Sequence, residues 1–231
     1  MISLRGISQY YGSTRILWDL DLDIARASCT CIMGRNGVGK TTLLKCLMGL
    51  LPLAAGEIRV DGAALQTEAA HTRAHRGIAY VPQGRHIFPL LSVEENLRTG
   101  LPCRKDGARQ IPEKIFELFP VLRDMLHRRG GDLSGGQQQQ LAIGRALVID
   151  PQVLILDEPN EGIQPNIVRQ IGEVIRRLNE EEELTVVLVE QKLGFARKYG
   201  HEFRLMERGR VVAADTMDGL SEQLIRQHLA V

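Results

Sequence analysis

The chain has 231 residues, of which 44% are hydrophobic and 25% charged, a composition typical of a globular protein with one sizeable domain. Its 29 Lys and Arg residues balance 28 Asp and Glu residues, so the overall charge favours neither nucleic acid nor lipid as a partner. No apolar run approaches the roughly 18 residues needed to span a bilayer, and the N-terminal sequence MISLRGISQYYG lacks the apolar stretch of a secretory signal, so we expect a cytosolic chain that reaches a membrane only through a partner.

The first third of the chain predicts short strands and one helix. Residues 3–7, 20–24 and 28–33 have β-type patterns, and the glycine-rich turn GRNGVG follows the third of them. The turn leads into the helical pattern TTLLKCLMGLL, which we expect Pro52 to stop. Further strands are predicted at residues 57–60 and 78–81.

The middle of the chain changes period and predicts helices. Ser92 and Glu95 form a capping box at the start of one helix, Pro112 begins another, and residues 137–148 give a third. Little strand pattern interrupts this stretch. It therefore predicts a helical subdomain at residues 88–148.

Strand patterns return in the last third of the chain. Residues 153–156 and 185–189 are nearly continuous apolar runs, typical of parallel strands covered on both faces, with a helix predicted between them at residues 165–179. The segments RLME and RVVAA and a helix around residues 220–229 close the chain. We therefore expect a single domain over residues 1–231, with a core made of residues 1–87 and 149–231.

A phosphate-binding loop is predicted at GRNGVGKT, residues 34–41. The segment fits the pattern GxxxxGK[ST] and stands between a strand and a helix, a context that argues against a chance glycine loop. Backbone N–H groups there surround an anion, and glycines avoid crowding it. Lys40 would supply a charge for the β- and γ-phosphates, and Thr41 a hydroxyl for Mg²⁺. The candidate nucleotide-binding residues are Gly34, Asn36, Gly37, Gly39, Lys40, Thr41 and Thr42.

Two acidic residues end the apolar strand in LILDEP. Ligands of open parallel sheets bind beyond the carboxyl ends of the strands, so Asp157 and Glu158 are expected at the phosphate site. Asp157 would hold the Mg²⁺ shell through water, and Glu158 could polarise the attacking water as a general base. An isolated acid pair would be read as a helix cap or a surface pair, but the context favours catalysis.

The segment LSGGQQQQLA looks like low complexity, yet its start has the features of a second anion site. Ser134 fits an N-cap, and Gly135 and Gly136 leave backbone N–H groups uncrowded at the head of a helix. One nucleotide does not need two phosphate cradles on separate lobes. Two copies of the chain arranged head-to-tail would use both.

The order of phosphate loop, LSGGQ and LILDEP resembles that of the ATP-binding subunits of ABC transporters, and the resemblance covers nearly the whole chain. It implies an α/β fold: a P-loop NTPase core of the ABC ATPase type with a β-rich N-terminal part and an inserted helical subdomain. It also implies ATP and Mg²⁺ as cofactors, and contact of Ser134, Gly135, Gly136 and Gln137 with the γ-phosphate of ATP on the opposite subunit. Gln138, Gln139 and Gln140 are expected to coat the helix surface.

The same resemblance implies roles for two further residues. Tyr11, before Gly12, matches the aromatic side chain that stacks on adenine, although packing explains a tyrosine at a strand end equally well. Gln83, in YVPQ, matches the glutamine that senses Mg²⁺ and the γ-phosphate and couples to the helical subdomain. The following FPLLSVEENL looks like the surface that receives a coupling helix from a membrane subunit.

Two positions depart from the usual family pattern. Most members place a histidine on the γ-phosphate after the strand matching TVVLV, whereas this chain has Glu190 and then Gln191. Gln191 can donate a hydrogen bond but cannot become cationic. The loop after Glu158 reads NEGIQP, with Gln164 where an Asp is more usual. Gln191 therefore joins Glu158 as a candidate catalytic residue, while leaving open a regulatory cassette that hydrolyses little ATP.

These departures resemble one subgroup, the second ATPase of branched-chain amino acid and urea uptake systems, and GGDLSGGQQQQLAIGRAL and EGIQP look most like the urea type. The implied partners are integral-membrane permease subunits, a periplasmic solute-binding protein indirectly, and a paralogous ATP-binding subunit that keeps the histidine. A heterodimer with unequal sites is thus expected, with a homodimer as the alternative. The implied location is cytoplasmic, on the inner face of the cell membrane. Urea is the favoured solute, with branched-chain amino acids and short amides open.

Two pairs of potential metal ligands have simpler explanations. Cys29 and Cys31 alternate along a strand and are expected to be buried free thiols, since no second pair or spaced histidine completes a zinc site. His71 and His75 are four residues apart, but no neighbouring acid or third ligand supports a metal site, and we expect a solvated face.

Overall fold

A computed structural model describes residues 1–229. The strands, in chain order, are β1 (Ile2–Tyr11), β2 (Thr14–Ile24), β3 (Cys29–Met33), β4 (Ala55–Val60), β5 (Ala63–Ala64), β6 (Ile78–Val81), β7 (Val153–Asp157), β8 (Thr185–Val189), β9 (Glu202–Glu207) and β10 (Arg210–Thr216). The helices are α1 (Lys40–Leu47), α2 (Ala70–His75), α3 (Val93–Arg98), α4 (Glu113–Leu118), α5 (Pro120–Asp124), α6 (Gly135–Val148), α7 (Pro165–Glu182), α8 (Leu193–Tyr199) and α9 (Glu222–His228).

The strands form two sheets. One has four strands in the order β2-β1-β4-β5, all antiparallel. The other has six in the order β10-β9-β3-β8-β7-β6, parallel except for the edge strand β10. Every residue of β3, β7 and β8 is buried, as nearly continuous apolar runs require. One apolar cluster lies between the two sheets, and a larger one joins the six-stranded sheet to the helices.

The parallel register determines where the polar residues after each strand meet. β3 pairs with β8 so that Ile32 lies opposite Val189, and β7 pairs with β8 so that Asp157 also lies opposite Val189. The segments that leave β3, β7 and β8 therefore emerge side by side at the carboxyl edge of the sheet, where ligands of such sheets bind. The phosphate loop, Glu158 and Gln191 are brought together there.

The helical subdomain packs around α6. Gly144 of α6 makes this packing possible, because a Cβ there would lie 3.1 Å from Leu122, 3.3 Å from Ile115 and 3.4 Å from Leu97. These neighbours belong to α5, α4 and α3, so three short helices pack against the same glycine. Asn96 is fully buried in α3. Its side-chain oxygen accepts from the Phe88 N–H at 2.8 Å, and its side-chain nitrogen donates to the Phe88 carbonyl oxygen at 2.9 Å.

Several predicted elements are confirmed and others were wrong in extent. The capping boxes at Ser92 and Ser134 are both present. The helix after the phosphate loop ends at Leu47 rather than at Pro52, because Gly49 adopts a left-handed φ of 70°. The helix beginning at Pro112 breaks at Phe119 before Pro120. The elements that the sequence patterns did not predict are β5, α2, α5 and α8.

The glutamines after the signature correct a prediction. Gln139 and Gln140 are 3% and 5% exposed, so they do not coat the helix surface. The Gln140 side chain donates to Gln170 of α7 at 3.2 Å. Gln138 donates to the carbonyl oxygens of Gly130 and Leu133. The run is polar in composition, but α6 packs between the sheet and other helices, so most of it lies inside.

None of the helices within residues 1–229 combines the length and apolar character required to cross a bilayer.

A tight helix contact gives a stability prediction. A Cβ at Gly172 in α7 would lie 2.2 Å from the ring of Tyr199, whose hydroxyl is bonded to Glu173 at 3.0 Å and so cannot yield freely. We expect Gly172→Ala to lower the free energy of unfolding by about 1–3 kcal/mol. The matched control is Gly194→Ala in α8, where a Cβ meets no atom within 4 Å in the described chain. Urea unfolding of both variants tests this, and equal midpoints would contradict it.

Candidate functional site

The phosphate loop has a backbone that only glycines fit. Gly34, Gly37 and Gly39 have φ of 152°, 80° and 106°. A Cβ at Gly34 would also lie 2.4 Å from the carbonyl oxygen of Met206 in β9. The sequence therefore needs glycine at these positions to curl the loop over the sheet edge.

Lys40 lies buried at the start of α1 and points back into the loop. Its Nζ donates to the carbonyl oxygens of Gly34 at 2.7 Å and Arg35 at 2.9 Å, and lies 4.0 Å from Glu158 Oε1. Burial lowers the pKa of Lys40, and the Glu158 and Asp157 carboxylates oppose that shift. The ammonium group therefore places a buried positive charge beside the predicted phosphate-binding loop.

Asp157 ends β7 and is 1% exposed. Its Oδ2 accepts from the Tyr80 hydroxyl at 3.3 Å, and the Thr41 side chain lies beside the carboxylate. Burial raises the pKa of Asp157, while the hydroxyls of Thr41 and Tyr80 lower it. The other oxygen, Oδ1, is buried without a hydrogen-bond partner among the described residues. A buried carboxylate oxygen with a free lone pair beside a threonine hydroxyl fits a hard cation such as Mg²⁺.

Glu158 and Gln191 meet across the carboxyl ends of β7 and β8. Gln191 Nε2 donates to Glu158 Oε1 at 2.6 Å and to Asn36 Oδ1 at 2.8 Å. Glu158 has a left-handed φ of 49°, and its N–H donates to the Val189 carbonyl at 2.9 Å. Strained non-glycine backbone of this kind persists where surrounding contacts fix it, often at functional sites. One amide thus joins the phosphate loop to the carboxylate after β7.

A cavity of about 720 Å³ opens between these groups. The predicted residues that line it are Asn36, Gly37, Gly39, Lys40, Thr41, Thr42, Gln83, Glu158 and Gln191. Asp157 is buried beside Thr41. Tyr11, at the end of β1, is 47% exposed. Among the described residues, Ile16 lines the cavity and Tyr11 does not.

The segment after β6 connects the cavity to the helical subdomain. Gln83 Nε2 donates to Glu161 Oε2 at 3.0 Å. Arg85 donates to Gln138 Oε1 at 3.2 Å and to the Glu161 carbonyl at 3.5 Å. Gly84, Arg85 and His86 all have positive φ, so the chain turns sharply here. Contacts from one short turn therefore reach both the signature helix and the loop after Glu158.

The signature residues Ser134, Gly135, Gly136 and Gln137 line a different cavity, of about 760 Å³. The Gln137 side chain accepts from Ser134 N at 2.9 Å, and Ser134 Oγ accepts from Gln137 N at 3.4 Å. Within residues 1–229 the two cavities share no lining residue. The signature therefore does not line the cavity of its own phosphate loop.

Sequence reasoning missed a buried group behind Gln191. Glu190 is 3% exposed and Asn160 1%, and Asn160 Nδ2 donates to Glu190 Oε2 at 2.5 Å. The two residues are distant in sequence and follow different strands, so the only available signal was the strand register itself. Glu190 also lines the nucleotide-side cavity, together with Glu161 and Lys192.

The two cysteines are buried and the two histidines are exposed. Cys29 and Cys31 are buried free thiols, as predicted, and a hydrogen bond with Cys29 together with burial raises the pKa of Cys31. His71 and His75 are exposed on α2, and His75 Nδ1 lies 2.8 Å from the His71 carbonyl oxygen.

Comparison with known proteins places this arrangement in a family. Residues 17–161 match the family model described as ABC transporter. The chain belongs to the ABC transporter family. As an ABC ATPase it has the predicted fold class, which is confirmed by a solved dimeric ATP-binding cassette in a post-hydrolysis state bound to ADP and Pi. That structure superposes with a TM-score of 0.84 at 25% identity, over 95% of this chain and 100% of the other.

Several relatives of this ABC ATPase are named for amino acid transport. BraG of Pseudomonas aeruginosa, a high-affinity branched-chain amino acid transport ATP-binding protein, is 42% identical over 94% of this chain and 93% of its own length. LivF of Archaeoglobus fulgidus, a probable branched-chain amino acid transport ATP-binding protein, is 37% identical over 92% and 90%. GlnQ of Escherichia coli, a glutamine transport ATP-binding protein, is 34% identical over 98% and 94%.

Proposed function

We propose that this ABC ATPase hydrolyses Mg-ATP in the 720 Å³ cavity to energise uptake of a small polar solute through separate membrane subunits. The observation that carries the proposal is the bridge made by Gln191 between Asn36 of the phosphate loop and Glu158. A carboxylate held beside a phosphate cradle, with Lys40 4.0 Å away, is the arrangement that phosphoryl transfer to water requires.

Each residue has a task in that reaction. The loop N–H groups and Lys40 would bind the phosphates, and Thr41, Asp157 and Gln83 would hold Mg²⁺. The unpartnered Oδ1 of Asp157 supports this ligand set. The cation would neutralise charge on the phosphate oxygens. Glu158 accepts a proton from the attacking water, and Gln191 keeps Glu158 oriented by donating to its Oε1. Tyr11 and Thr42 complete the nucleotide site in this proposal.

The signature residues act in trans. They line a cavity that shares no described residue with the nucleotide cavity, so a second ATPase subunit is needed to bring a signature to each ATP. The dimeric state of the structural neighbour supports this arrangement. Because Gln191 replaces the usual histidine, we propose a paralogous, histidine-bearing subunit as the preferred partner, with a second copy of this chain as the alternative. Such a dimer would sit on the cytoplasmic face of permease subunits.

Two resemblances bear on the identity of the solute, and they favour different compounds. The segments GGDLSGGQQQQLAIGRAL and EGIQP favour urea, whereas the relatives BraG and LivF favour branched-chain amino acids. Both are small polar solutes delivered by a binding protein outside the membrane.

Uptake in cells tests the role and separates the two solutes. A strain lacking this chain is complemented with wild type or with Glu158→Gln, and radiolabelled urea and leucine are supplied separately. We expect wild type to restore uptake of one solute, urea first, and Glu158→Gln to restore none. Restoration by Glu158→Gln, or uptake of both solutes unaffected by loss of the chain, would contradict the proposal.

A further inference from the structure

The loop that follows β7 runs from one cavity to the other. Glu158 and Glu161 line the nucleotide cavity, and Gly162 and Gln164 line the signature cavity. Asn160 lies between Glu158 and Glu161, and together with its neighbour Pro159 it forms the buried part of the loop, with Asn160 at 1% exposure. The buried amide side chain of Asn160 therefore limits where this loop can lie.

The buried carboxylate of Glu190 receives three donors on that side. Glu190 Oε2 accepts from Asn160 Nδ2 at 2.5 Å. Its Oε1 accepts from the backbone N–H groups of Gln191 and Lys192, each at 2.8 Å. Lys192 Nζ returns to the Asn160 carbonyl at 2.9 Å. The carboxylate therefore fixes the backbone of Gln191 on one side and the loop of Glu158 on the other.

We propose that Asn160 and Glu190 form a positioning pair that holds the Gln191 amide on Glu158, so that ATP hydrolysis depends on this buried contact. The inference rests on the proposed function, since it gives Gln191 its task. Asn160 does not line the nucleotide cavity among the described residues, and the Glu190 carboxylate is already taken up by these three donors. Both act through Gln191, because the Glu190 carboxylate accepts from its backbone N–H and so fixes the position from which the side chain extends to Glu158.

The contact joins an amide nitrogen of Asn160 to a carboxylate oxygen of Glu190, and this pairing allows a charge-exchange test. Asn160→Asp places a second carboxylate 2.5 Å from Glu190 Oε2, and like charges at this distance repel. Glu190→Gln keeps the Oε1 acceptor and is tolerated, because Asn160 Oδ1, which has no partner in the described chain, can turn to accept from the introduced amide. In the double variant the introduced amide donates to the introduced carboxylate, and the contact is restored.

Steady-state ATPase kinetics of the full-length chain at pH 8.5 give the first readout. We expect Asn160→Asp to lower kcat by roughly 10- to 100-fold with KM for ATP little changed, as for loss of an interaction made only in the transition state. The double variant should recover to within about 3-fold of wild type. The matched control is Asn166→Asp, the same change at an exposed position of α7. A double variant no better than Asn160→Asp, or an unimpaired Asn160→Asp, would overturn the pair.

Hydrogen exchange of the Gln191 and Lys192 amides gives a readout that needs no turnover. Asn160→Asp should speed exchange at both, and the double variant should slow it again. A wild type that binds no ATP or never hydrolyses it would count against the proposed function, while the exchange pattern would still decide the pair. Slow exchange in Asn160→Asp would refute it in either case.

Discussion

Glu158→Gln is expected to lower ATP turnover by roughly 10²- to 10⁴-fold, the range for loss of a general base. The amide has nearly the same shape, so ATP should still bind through Lys40 and the loop. It cannot take a proton from water, and Gln191 Nε2 loses its carboxylate acceptor. Phosphate release measured with saturating Mg-ATP checks the rate, and size-exclusion chromatography in ATP should show a dimer trapped in the variant.

The control for that result is Glu222→Gln, which removes the same charge from an exposed residue paired with Arg197. It should keep full turnover. If Glu158→Gln turned over ATP within a few-fold of wild type, Glu158 would not be the base, and the catalytic reading of LILDEP would be wrong.

Lys40→Met is expected to weaken ATP binding by roughly 10- to 100-fold, which corresponds to loss of charge-assisted hydrogen bonds of about 1.5–3 kcal/mol. The substitution keeps the apolar stem that is buried at the start of α1 and removes only the ammonium group. Fluorescence titration with a labelled ATP analogue measures the affinity. Lys45→Met in the last turn of α1 is the control and should bind as wild type.

Equal affinities for Lys40→Met and wild type would contradict the assignment of the phosphate cradle. Far-UV circular dichroism of both variants separates loss of binding from loss of fold, because α1 contributes to the helical signal.

The sequence predicted the site where the chemistry is local to one segment. The phosphate loop needs glycines in fixed conformations, and Gly34, Gly37 and Gly39 adopt them. The placement of Glu158 at the phosphate loop followed from the rule that strands of a parallel sheet present their carboxyl ends together, whereas Gln191 was assigned through the family resemblance. Both predictions rest on backbone geometry that a short segment determines.

What the sequence did not predict depends on packing between distant segments. Gln139 and Gln140 are buried because α6 is enclosed by neighbours far along the chain, which a polar run cannot reveal. The Asn160–Glu190 contact needs the relative register of two strands, and no pattern within either loop marks it. The break at Phe119 has a local cause instead, Pro120, which the predicted helix beginning at Pro112 did not take into account.

The most direct test of the account is the identity of the nucleotide that stays bound after incubation with radiolabelled Mg-ATP and removal of free nucleotide. The three chains to compare, each mixed with the histidine-bearing subunit, are wild type, Glu158→Gln and Lys40→Met. We predict ADP on wild type, ATP on Glu158→Gln and little nucleotide on Lys40→Met. The same ratio of ATP to ADP on wild type and Glu158→Gln would contradict hydrolysis driven by Glu158 in the cavity beside Lys40.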